Sequence, residues 1–415
     1  MSKNKKFQKT LKAEKGITLI ALVITIVILI ILATVSINVV LGEGGLIQRA
    51  QEGKSLTDQA QTDEQEELTG AEEYINGILV GIEDQNPPGE KSEVAEAIEN
   101  GTKYTDTTPI KDDLENTVYI PGGFHLSKDS GTKVEEGIVI EDDSENQFVW
   151  IPTGEYNVTE KVEKITEPDK QDGKLTNELS RRTFTESGST IVSGDSVIES
   201  YYYGEGDSRS CTIVDGVNSI DAFLSRAKPV SEGGKGGFYI GRYEAGTEAE
   251  RTSKDDPLTT PLVQANKYPY VYVTREQAKQ KAETMYSGNE AIKATAQLIS
   301  SYARDTALNF ICQTNVEGYT LAITTKNIYG NIGTNNRTKT GEYLADCHSN
   351  ICDLLGNCSE LTTEYSSYSN SDNTYSYDTV MGGVYNNSNY YVAYRSSRKT
   401  DTSYRYRSFR IQLYV

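Results

Sequence analysis

An almost uninterrupted apolar run from Ile17 to Leu41 dominates the start of the chain. About 20 consecutive apolar residues are enough to span a bilayer as a helix. The residues before the run are basic, which favours their retention on the cytoplasmic side: Lys3, Lys5, Lys6, Lys9, Lys12 and Lys15. We therefore predict a single-pass transmembrane helix over residues 17–41, with all later residues outside the cell.

Residues 42–86 continue with apolar positions at helical spacing among dense charges, including Leu46, Ile47, Ile75 and Leu79. This pattern predicts a helical stalk rising from the membrane. The sequence Asn-Pro-Pro-Gly at 86–89 stops the helix. Residues 87–114 are polar and lack a clear period, so the sequence predicts a linker there.

From residue 115 to 415 the pattern is rich in short β-branched or aromatic runs separated by Gly and Asp. Residues 118–120 and 138–140 are typical of strands. Thr274–Met285 has an N-terminal capping pattern, and about 300–312 is a second helix candidate. Alternation near the C-terminus should direct one apolar set inward: Val380, Val384, Val392, Phe409, Ile411 and Leu413. The pattern predicts a mixed α+β domain.

The residues around the start of the apolar run, KGITLIAL at 15–22, resemble the type IV prepilin motif. The resemblance implies a basic leader at 1–16, peptidase cleavage after Gly16, and Ile17 as the new N-terminus. In that family the fifth mature position normally carries a glutamate, whereas Ala21 stands here. A carboxylate inside the membrane is costly unless it is paired. Its absence favours an anchor or a minor pilus component over a major fibre subunit.

Composition narrows the range of partners. The chain of 415 residues carries a net charge of −19, which repels phosphate backbones and excludes nucleic acid as an expected partner. Tyrosine is abundant, with 28 Tyr against 8 Phe and 1 Trp. Because tyrosine combines an apolar ring with a polar tip, this bias is typical of wet recognition surfaces.

An ordered set of motifs in residues 115–415 resembles the formylglycine-generating enzyme (sulfatase-modifying factor) superfamily. The segments are NQFVWIPTG at 146–154, GFYIGRYE at 237–244, ICDLLGNCSELT at 351–362, VMGG at 380–383, AYRS at 393–396 and SFR at 408–410. The resemblance implies a C-type-lectin-like fold, irregular and rich in ordered loops. Fold alone does not decide function, since this fold carries enzymes, sugar binders and variable binding proteins.

The catalytic residues of that superfamily are missing from the matching positions. Its oxidising members place a copper-binding cysteine pair between the Gly-Gly and Ala-Ala-Arg-Ser strands, and the matching residues 384–392 contain no cysteine. Its iron-dependent members need several histidines, whereas this chain has only His125 and His348. We therefore expect no enzyme activity. The alternative is an anchored metal-dependent oxidoreductase that uses Cys347, Cys352 and Cys358.

No cofactor is expected, with calcium as the exception that the resemblance allows. Asp353, Asn357 and Glu360 offer oxygen ligands in one turn region. Turn-forming residues that satisfy the backbone are the alternative interpretation. For the cysteines at 347, 352 and 358, a disulfide with one remaining thiol is the alternative to a metal or redox site, and the pairing stays open.

Residues 364–407 combine tyrosine with Ser, Asn, Thr and Arg, the composition of a paratope. We predict a ligand-binding face there, with Arg395, Arg405 and Arg407 as further charged anchors. This stretch also resembles the variable segment of proteins diversified by retroelements. A soluble, solvent-facing sheet without a ligand is the alternative. The predicted binding residues are Tyr365, Tyr368, Tyr375, Tyr377, Tyr385, Asn387, Asn389, Tyr390, Tyr391, Tyr394, Arg398, Tyr404 and Tyr406.

Together these patterns predict a non-catalytic adhesin-like or receptor-like protein of the bacterial cell membrane. A single-pass helix would hold it, and an extracellular head would bind a protein or glycan. Pilin-like subunits are further expected partners. A minor pilus subunit remains an alternative function.

Overall fold

A computed structural model describes residues 91–159, 173–185, 188–192, 212–215, 220–314, 330–369, 374–388, 391–399 and 402–415. The predicted leader, transmembrane helix and stalk, including Gly16 and Ile17, lie outside these ranges. Within them, no helix has the length and apolar character needed to cross a membrane.

The described residues contain four α-helices, which are α1 (Glu93–Asn100), α2 (Ile220–Ala227), α3 (Arg275–Thr284) and α4 (Ser301–Thr314). Helices and many short strands occur together, so the predicted mixed α+β class is confirmed. The strands are β1 (Thr108–Lys111), β2 (Thr117–Ile120), β3 (Phe124–Leu126), β4 (Val139–Asp142), β5 (Gln147–Pro152), β6 (Gly154–Asn157), β7 (Lys174–Asn177), β8 (Arg181–Thr185), β9 (Gly188–Val192), β10 (Thr212–Asp215), β11 (Gly237–Gly241), β12 (Gly246–Thr247), β13 (Tyr268–Pro269), β14 (Thr295–Leu298), β15 (Ser359–Ser369), β16 (Thr374–Met381), β17 (Arg395–Lys399), β18 (Arg407–Phe409) and β19 (Ile411–Tyr414).

Two larger sheets organise the domain. The first has six strands in the order β14-β19-β11-β5-β4-β3, and each pair is antiparallel. Its central strands β5 and β11 are almost continuously apolar and buried, as expected for strands covered on both faces. The last strand of the chain, β19, therefore lies next to β11 in the interior.

The second sheet has the order β10-β15-β16-β17, and the short strand β18 pairs in parallel with β15. The β15-β16 hairpin carries a register irregularity between Leu361 and Tyr365. Such a bulge increases local twist and redirects side chains. This sheet holds much of the tyrosine-rich segment. The remaining strands form two-stranded ribbons, β1-β2, β6-β7, β8-β9 and β12-β13.

Several predicted elements are confirmed. The strands at 118–120 and 138–140 correspond to β2 and β4, and the helices at Thr274–Met285 and about 300–312 correspond to α3 and α4. The apolar set predicted to point inward is also buried, each member being at most 4% exposed: Val380, Val384, Val392, Phe409, Ile411 and Leu413. Local periodicity was sufficient for these assignments.

Residues 91–114, which fall in the predicted linker, contain regular structure. Helix α1 is capped by Ser92, whose hydroxyl accepts from the Ala95 amide at 3.2 Å, and it buries Val94. Strand β1 follows and buries Ile110. The sequence pattern missed this helix because only Val94 and Ala97 face the core along its two turns.

A capping box starts α3. The Thr274 hydroxyl accepts from the Gln277 amide at 3.2 Å, and the Gln277 side chain accepts from the Thr274 amide at 3.0 Å. We expect Thr274→Ala to lower the free energy of unfolding by about 1 kcal/mol, because the Gln277 amide loses its acceptor. Urea denaturation of the full-length chain measures this. Thr274→Ser should restore most of the loss, and equal destabilisation by both variants would contradict the capping role.

A buried ionic network joins α4 to the second sheet. Glu360 on β15 pairs with Arg410 at 2.7 Å and with Arg304 on α4 at 3.5 Å. Arg395 on β17 pairs with Asp305 on α4 at 2.8 Å and with Glu364 on β15 at 3.7 Å. All six side chains are almost inaccessible to solvent. Buried charges require such partners, so the network holds the second sheet against α4.

Candidate ligand-binding cleft

The polar segment from Gly330 to Gly341 forms one wall of the candidate site. Its turns use the left-handed backbone conformation at Gly330, Gly333, Asn335 and Gly341, residue types that tolerate positive φ. The Asn331 side-chain nitrogen Nδ2 donates to the Asn336 carbonyl at 2.8 Å, which closes the loop upon itself. This wall is therefore a loop that its own hydrogen bonds hold in one conformation.

Asn357 links this wall to its surroundings. Its side-chain nitrogen donates to Glu244 Oε1 at 2.5 Å and to the Thr338 carbonyl at 3.1 Å, while its side-chain oxygen accepts from the Thr338 amide. Its backbone carbonyl accepts from the Tyr385 amide at 2.9 Å. The Tyr385 carbonyl in turn accepts from the Asn335 amide at 2.7 Å. Through these hydrogen bonds Asn357 positions Tyr385 beside the 330–341 loop.

Arg337 connects the wall to two other segments. Its Nη2 lies 2.5 Å from Glu250 Oε1, and its Nη1 donates to the Arg405 carbonyl at 2.7 Å. One guanidinium therefore holds the 330–341 loop, the segment at 250 and the C-terminal segment at 405 together. The fixed fork geometry of arginine suits such a three-way junction.

Arg251 stabilises the base of the site. Only 3% of it is exposed, and it donates to four backbone carbonyls, those of Val271, Asp256, Pro257 and Tyr272. Tyr272 has a φ of 58°, an uncommon conformation for a bulky residue. The bond from Arg251 and the donation of the Tyr272 amide to the Tyr404 carbonyl at 3.1 Å hold that conformation.

These segments enclose a cleft of about 560 Å³, which we call the arginine cleft. Its volume lies within the range of about 300–1,000 Å³ that is typical of small-ligand sites. The lining combines charged, amide and phenol groups: Glu250, Arg251, Thr252, Tyr272, Asn335, Arg337, Tyr385, Asn386 and Arg405. Burial raises the pKa of Tyr385, so its hydroxyl stays protonated at neutral pH and can donate.

Of the predicted binding residues, Tyr385 lines the arginine cleft. Asn387 is two residues further on and half-buried, and its amide donates to the Val384 carbonyl at 3.3 Å. Arg405, predicted as a charged anchor, is exposed and lines the cleft. The cleft therefore draws on the predicted segment at two points, 385–386 and 405.

Four further predicted tyrosines form two ring pairs. Tyr404 stacks on Tyr406 with ring centroids 5.3 Å apart, and the Arg407 guanidinium lies 4.3 Å from the Tyr404 ring centroid. Tyr391 and Tyr394 meet edge to face at 5.5 Å. Tyr404 is 39% exposed, so its ring can contact a ligand beside Arg405.

Tyr365 has a supporting position. The Arg275 guanidinium of α3 lies 4.8 Å from its ring centroid, and Arg275 also pairs with Asp378 of β16 at 3.1 Å. Tyr365 is therefore half-buried between the helix and the sheet. The structure does not bring it to the arginine cleft.

The other predicted binding residues are described only in part. The backbones of Tyr368, Tyr375, Tyr377 and Arg398 belong to β15, β16 and β17, where Tyr368 lies opposite Tyr375 and Arg398 opposite Asp378. Their side chains lie outside the described part of the chain. Asn389 and Tyr390 lie outside it entirely.

Two of the arginines predicted as charged anchors for a ligand, Arg395 and Arg407, are buried, so that prediction was wrong for them. Arg395 is 4% exposed and belongs to the ionic network with Asp305 and Glu364. Arg407 is 2% exposed and donates to the Thr402 hydroxyl at 2.9 Å. The carboxylates of Asp305 and Glu364 compensate the buried charge of Arg395, whereas the Thr402 hydroxyl provides Arg407 with a hydrogen-bond acceptor.

The predicted oxygen ligands have protein partners. The Asp353 carboxylate accepts from the Gly341 amide at 3.0 Å, Asn357 bonds to Glu244 and Thr338, and Glu360 pairs with two arginines. Over the described ranges, no group of three or more His, Cys, Asp and Glu residues is arranged to hold a metal ion. Calcium binding stays a prediction.

Cys347 and Cys352 form a disulfide, with their Cα atoms 4.0 Å apart. Cys358 is buried outside it, which agrees with the interpretation of one disulfide and one remaining thiol. Burial and the neighbouring Glu244 raise the pKa of Cys358 well above its usual value. A protonated thiol is a poor nucleophile and a poor metal ligand.

Three buried acids lie behind the wall of the cleft. Desolvation raises the pKa of Asp346 to about 8 and that of Asp353 to about 6, and it raises the pKa of Glu244 well above its usual value. The Asp346 Oδ1 atom accepts from the Asp353 amide at 3.2 Å, which brings the two carboxyls close. Repulsion between them favours the protonated forms.

Most of the cleft lining was not predicted from the sequence. Glu250, Arg251, Tyr272, Asn335 and Arg337 come from loops whose meeting depends on tertiary structure. The run GNIGTNNRTKTG at 330–341 was the one available signal, since its Gly, Asn and Thr content indicates an ordered turn region.

Other hollows accompany the arginine cleft. A cleft of about 550 Å³ lies along residues 247–262 and shares Glu250, Arg251 and Thr252 with it. Another, of about 400 Å³, lies between residues 115–117, the β6-β7 ribbon and residues 229–236. A crevice of about 20 Å³ beneath Tyr394 and Tyr406 is too small for a ligand. Only the first adjoins the arginine cleft through shared residues.

Comparison with known proteins does not assign the chain to a family. No family model matches it, and no curated protein matches it. Among solved structures, it is similar to the structure of PvdO from Pseudomonas aeruginosa, with 11% sequence identity and a TM-score of 0.30, over 67% of this chain and 98% of that chain. A likeness at that TM-score carries no argument about fold or function.

Proposed function

We propose that this chain is a surface-displayed, non-catalytic binding protein with a C-type-lectin-like head that contacts a protein or glycan through the arginine cleft and its neighbouring tyrosines. In this proposal, residues 17–41 anchor it in the bacterial cell membrane. The observation that carries the proposal is the position of Tyr385, Asn386 and Arg405. All three come from the paratope-like segment, and all three line the cleft.

The rigidity of the cleft supports a binding role. Arg337, Arg251 and Asn357 hold its walls through hydrogen bonds to several chain segments. A preformed site loses less conformational entropy when a ligand binds. Amide, phenol and guanidinium groups at such a site provide oriented hydrogen bonds.

A variant with Tyr385→Phe and Asn386→Ala tests the proposal. We expect at least a tenfold loss of affinity, equivalent to about 1.4 kcal/mol, because a ligand loses two hydrogen-bonding groups. The measurement applies the purified full-length chain to arrays of saccharides and of bacterial and host surface proteins. Titration of the strongest wild-type ligand then gives Kd for each variant.

The matched control combines Tyr343→Phe with Asn100→Ala, which removes the same atoms from positions outside the cleft. It should bind like the wild type. Circular dichroism establishes that both double variants remain folded. Wild-type affinity of the cleft variant, or an absence of any array ligand for the wild type, would overturn the proposal.

A further inference from the structure

The arginine cleft is locally cationic on an acidic protein. Three arginines and one glutamate line it, while the whole chain has a net charge of −19. Glu250 neutralises Arg337 at 2.5 Å. Of the other two arginines, Arg251 interacts electrostatically with Asp256 of the adjoining cleft, whereas Arg405 has no carboxylate in the lining beside it. A local field of this sign concentrates anions against the overall charge.

Arg405 is the cation best placed to meet a ligand. Its side chain is exposed, and within the described ranges no carboxylate lies within ion-pair distance of its guanidinium. Among the described residues, the fold uses its backbone carbonyl as the acceptor for Arg337. By contrast, Arg251 is committed to four carbonyls, so it supplies charge to the cleft but few donors.

The rest of the lining suits a hydroxylated ligand. Asn335, Asn386 and Thr252 each offer hydrogen-bonding groups, and the phenols of Tyr272 and Tyr385 add donors with aromatic faces. The large hydrophobic side chains that stand exposed among the described residues are Ile191, Val230, Leu344 and Tyr404, and none of them lines the cleft. Peptide grooves use apolar pockets for anchor side chains, so the lining favours a saccharide over a peptide.

The adjoining cleft along residues 247–262 limits where an anionic group can bind. It shares Glu250, Arg251 and Thr252 with the arginine cleft, and Glu248 and Asp256 also line it. These carboxylates repel an acidic group from that side. The anionic group of a ligand is therefore expected at Arg405, within the arginine cleft.

We infer that the arginine cleft binds an acidic saccharide, with Arg405 receiving a sugar carboxylate and the amides and phenols receiving the hydroxyls. This inference rests on the proposed binding function and adds the ligand class. A guanidinium recognises a carboxylate through two parallel hydrogen bonds, which gives geometric selectivity as well as charge.

Tetragalacturonate and its full methyl ester test the inference, because they share one backbone and differ in charge. Calorimetric titration of the full-length chain should show at least tenfold weaker binding of the ester. Raising the salt concentration should weaken only the acid. Arg405→Gln should lower affinity for the acid at least tenfold, and Arg405→Lys should lie between it and the wild type. Arg226→Gln, at an exposed position on α2, should change nothing.

Equal affinity for acid and ester would overturn the carboxylate contact. Tighter binding of hexaglutamate than of tetragalacturonate would overturn the saccharide class in favour of an acidic peptide. If neither saccharide binds while the Tyr385→Phe and Asn386→Ala variant still loses array binding, the ligand class fails and the proposed function stands. If that variant binds normally on the arrays, both fail together.

Discussion

Replacing Glu360 with Gln should destabilise the domain by about 3–5 kcal/mol, the usual cost of leaving buried charges without their partner. Glu360 is 1% exposed and lies between Arg410 and Arg304. Glutamine keeps the shape but removes the negative charge, so two buried guanidinium groups lose their counter-charge. Chemical denaturation of the full-length chain, followed by tryptophan fluorescence from the buried Trp150, measures the change.

Glu99→Gln is the matched control for Glu360→Gln. Glu99 pairs with Lys91 at 2.6 Å, but both side chains are about 60% exposed, and such surface pairs contribute little. The control should leave the free energy of unfolding almost unchanged. Similar stability of the two variants would show that the network around Glu360 does not hold the sheet to the helix.

Replacing Asp346 with Asn should stabilise the domain above neutral pH. Burial raises the pKa of Asp346 to about 8 from an ordinary value of 3.8. The folded protein therefore retains a proton that the unfolded chain releases, and wild-type stability falls as pH rises from about 4 to about 8. Asparagine removes this penalty. We expect a gain of at least about 1.4 kcal/mol at pH 8.5, the equivalent of one pKa unit.

The pH dependence of the difference is the decisive measurement for Asp346→Asn. Well below pH 4 the Asp346 side chain is neutral in the folded and the unfolded chain, so the gain over the wild type should vanish there and grow towards pH 8. Asp255→Asn, at an exposed position, should show no such trend. A gain that is the same at every pH would mean that packing, rather than ionisation of Asp346, causes it.

The elements with strong local signals were predictable from the sequence. Thr274 and Gln277 form a capping box within one turn, so the start of α3 needs no distant information. The alternation of Phe409, Ile411 and Leu413 likewise identifies core positions near the C-terminus. Each of these signals depends on neighbours in the chain.

The exposure of arginines was not predictable in the same way. Arg395 and Arg405 lie in the same tyrosine-rich segment, yet one is buried and the other exposed. The difference depends on Asp305, which lies in α4 far away in the sequence. A charge can be buried only where the fold brings it a partner.

The residues of the candidate site likewise divide into those that the local sequence predicts and those that depend on the assembled fold. Tyr385 was predicted from its compositional surroundings, but Tyr272 carries no local sign of its role, and the run around Arg337 indicates only an ordered turn region. Tyr272 adopts a left-handed backbone conformation that tyrosine seldom uses, and bonds from Arg251 and to Tyr404 stabilise it. Composition therefore indicated which segment contributes to the cleft, whereas the opposing wall required the assembled loops.

In the C-terminal segment, the residues of the buried ionic network are different from the residues at the arginine cleft. Glu360, Arg395 and Arg410 belong to the network and stabilise this region from the interior. Asn386, Tyr404 and Arg405 do not belong to it. Surface substitutions away from such networks usually change stability by less than about 0.5 kcal/mol. Under the proposed binding function, the outer positions can therefore accumulate mutations with little risk to folding, and new specificities can evolve on an unchanged scaffold.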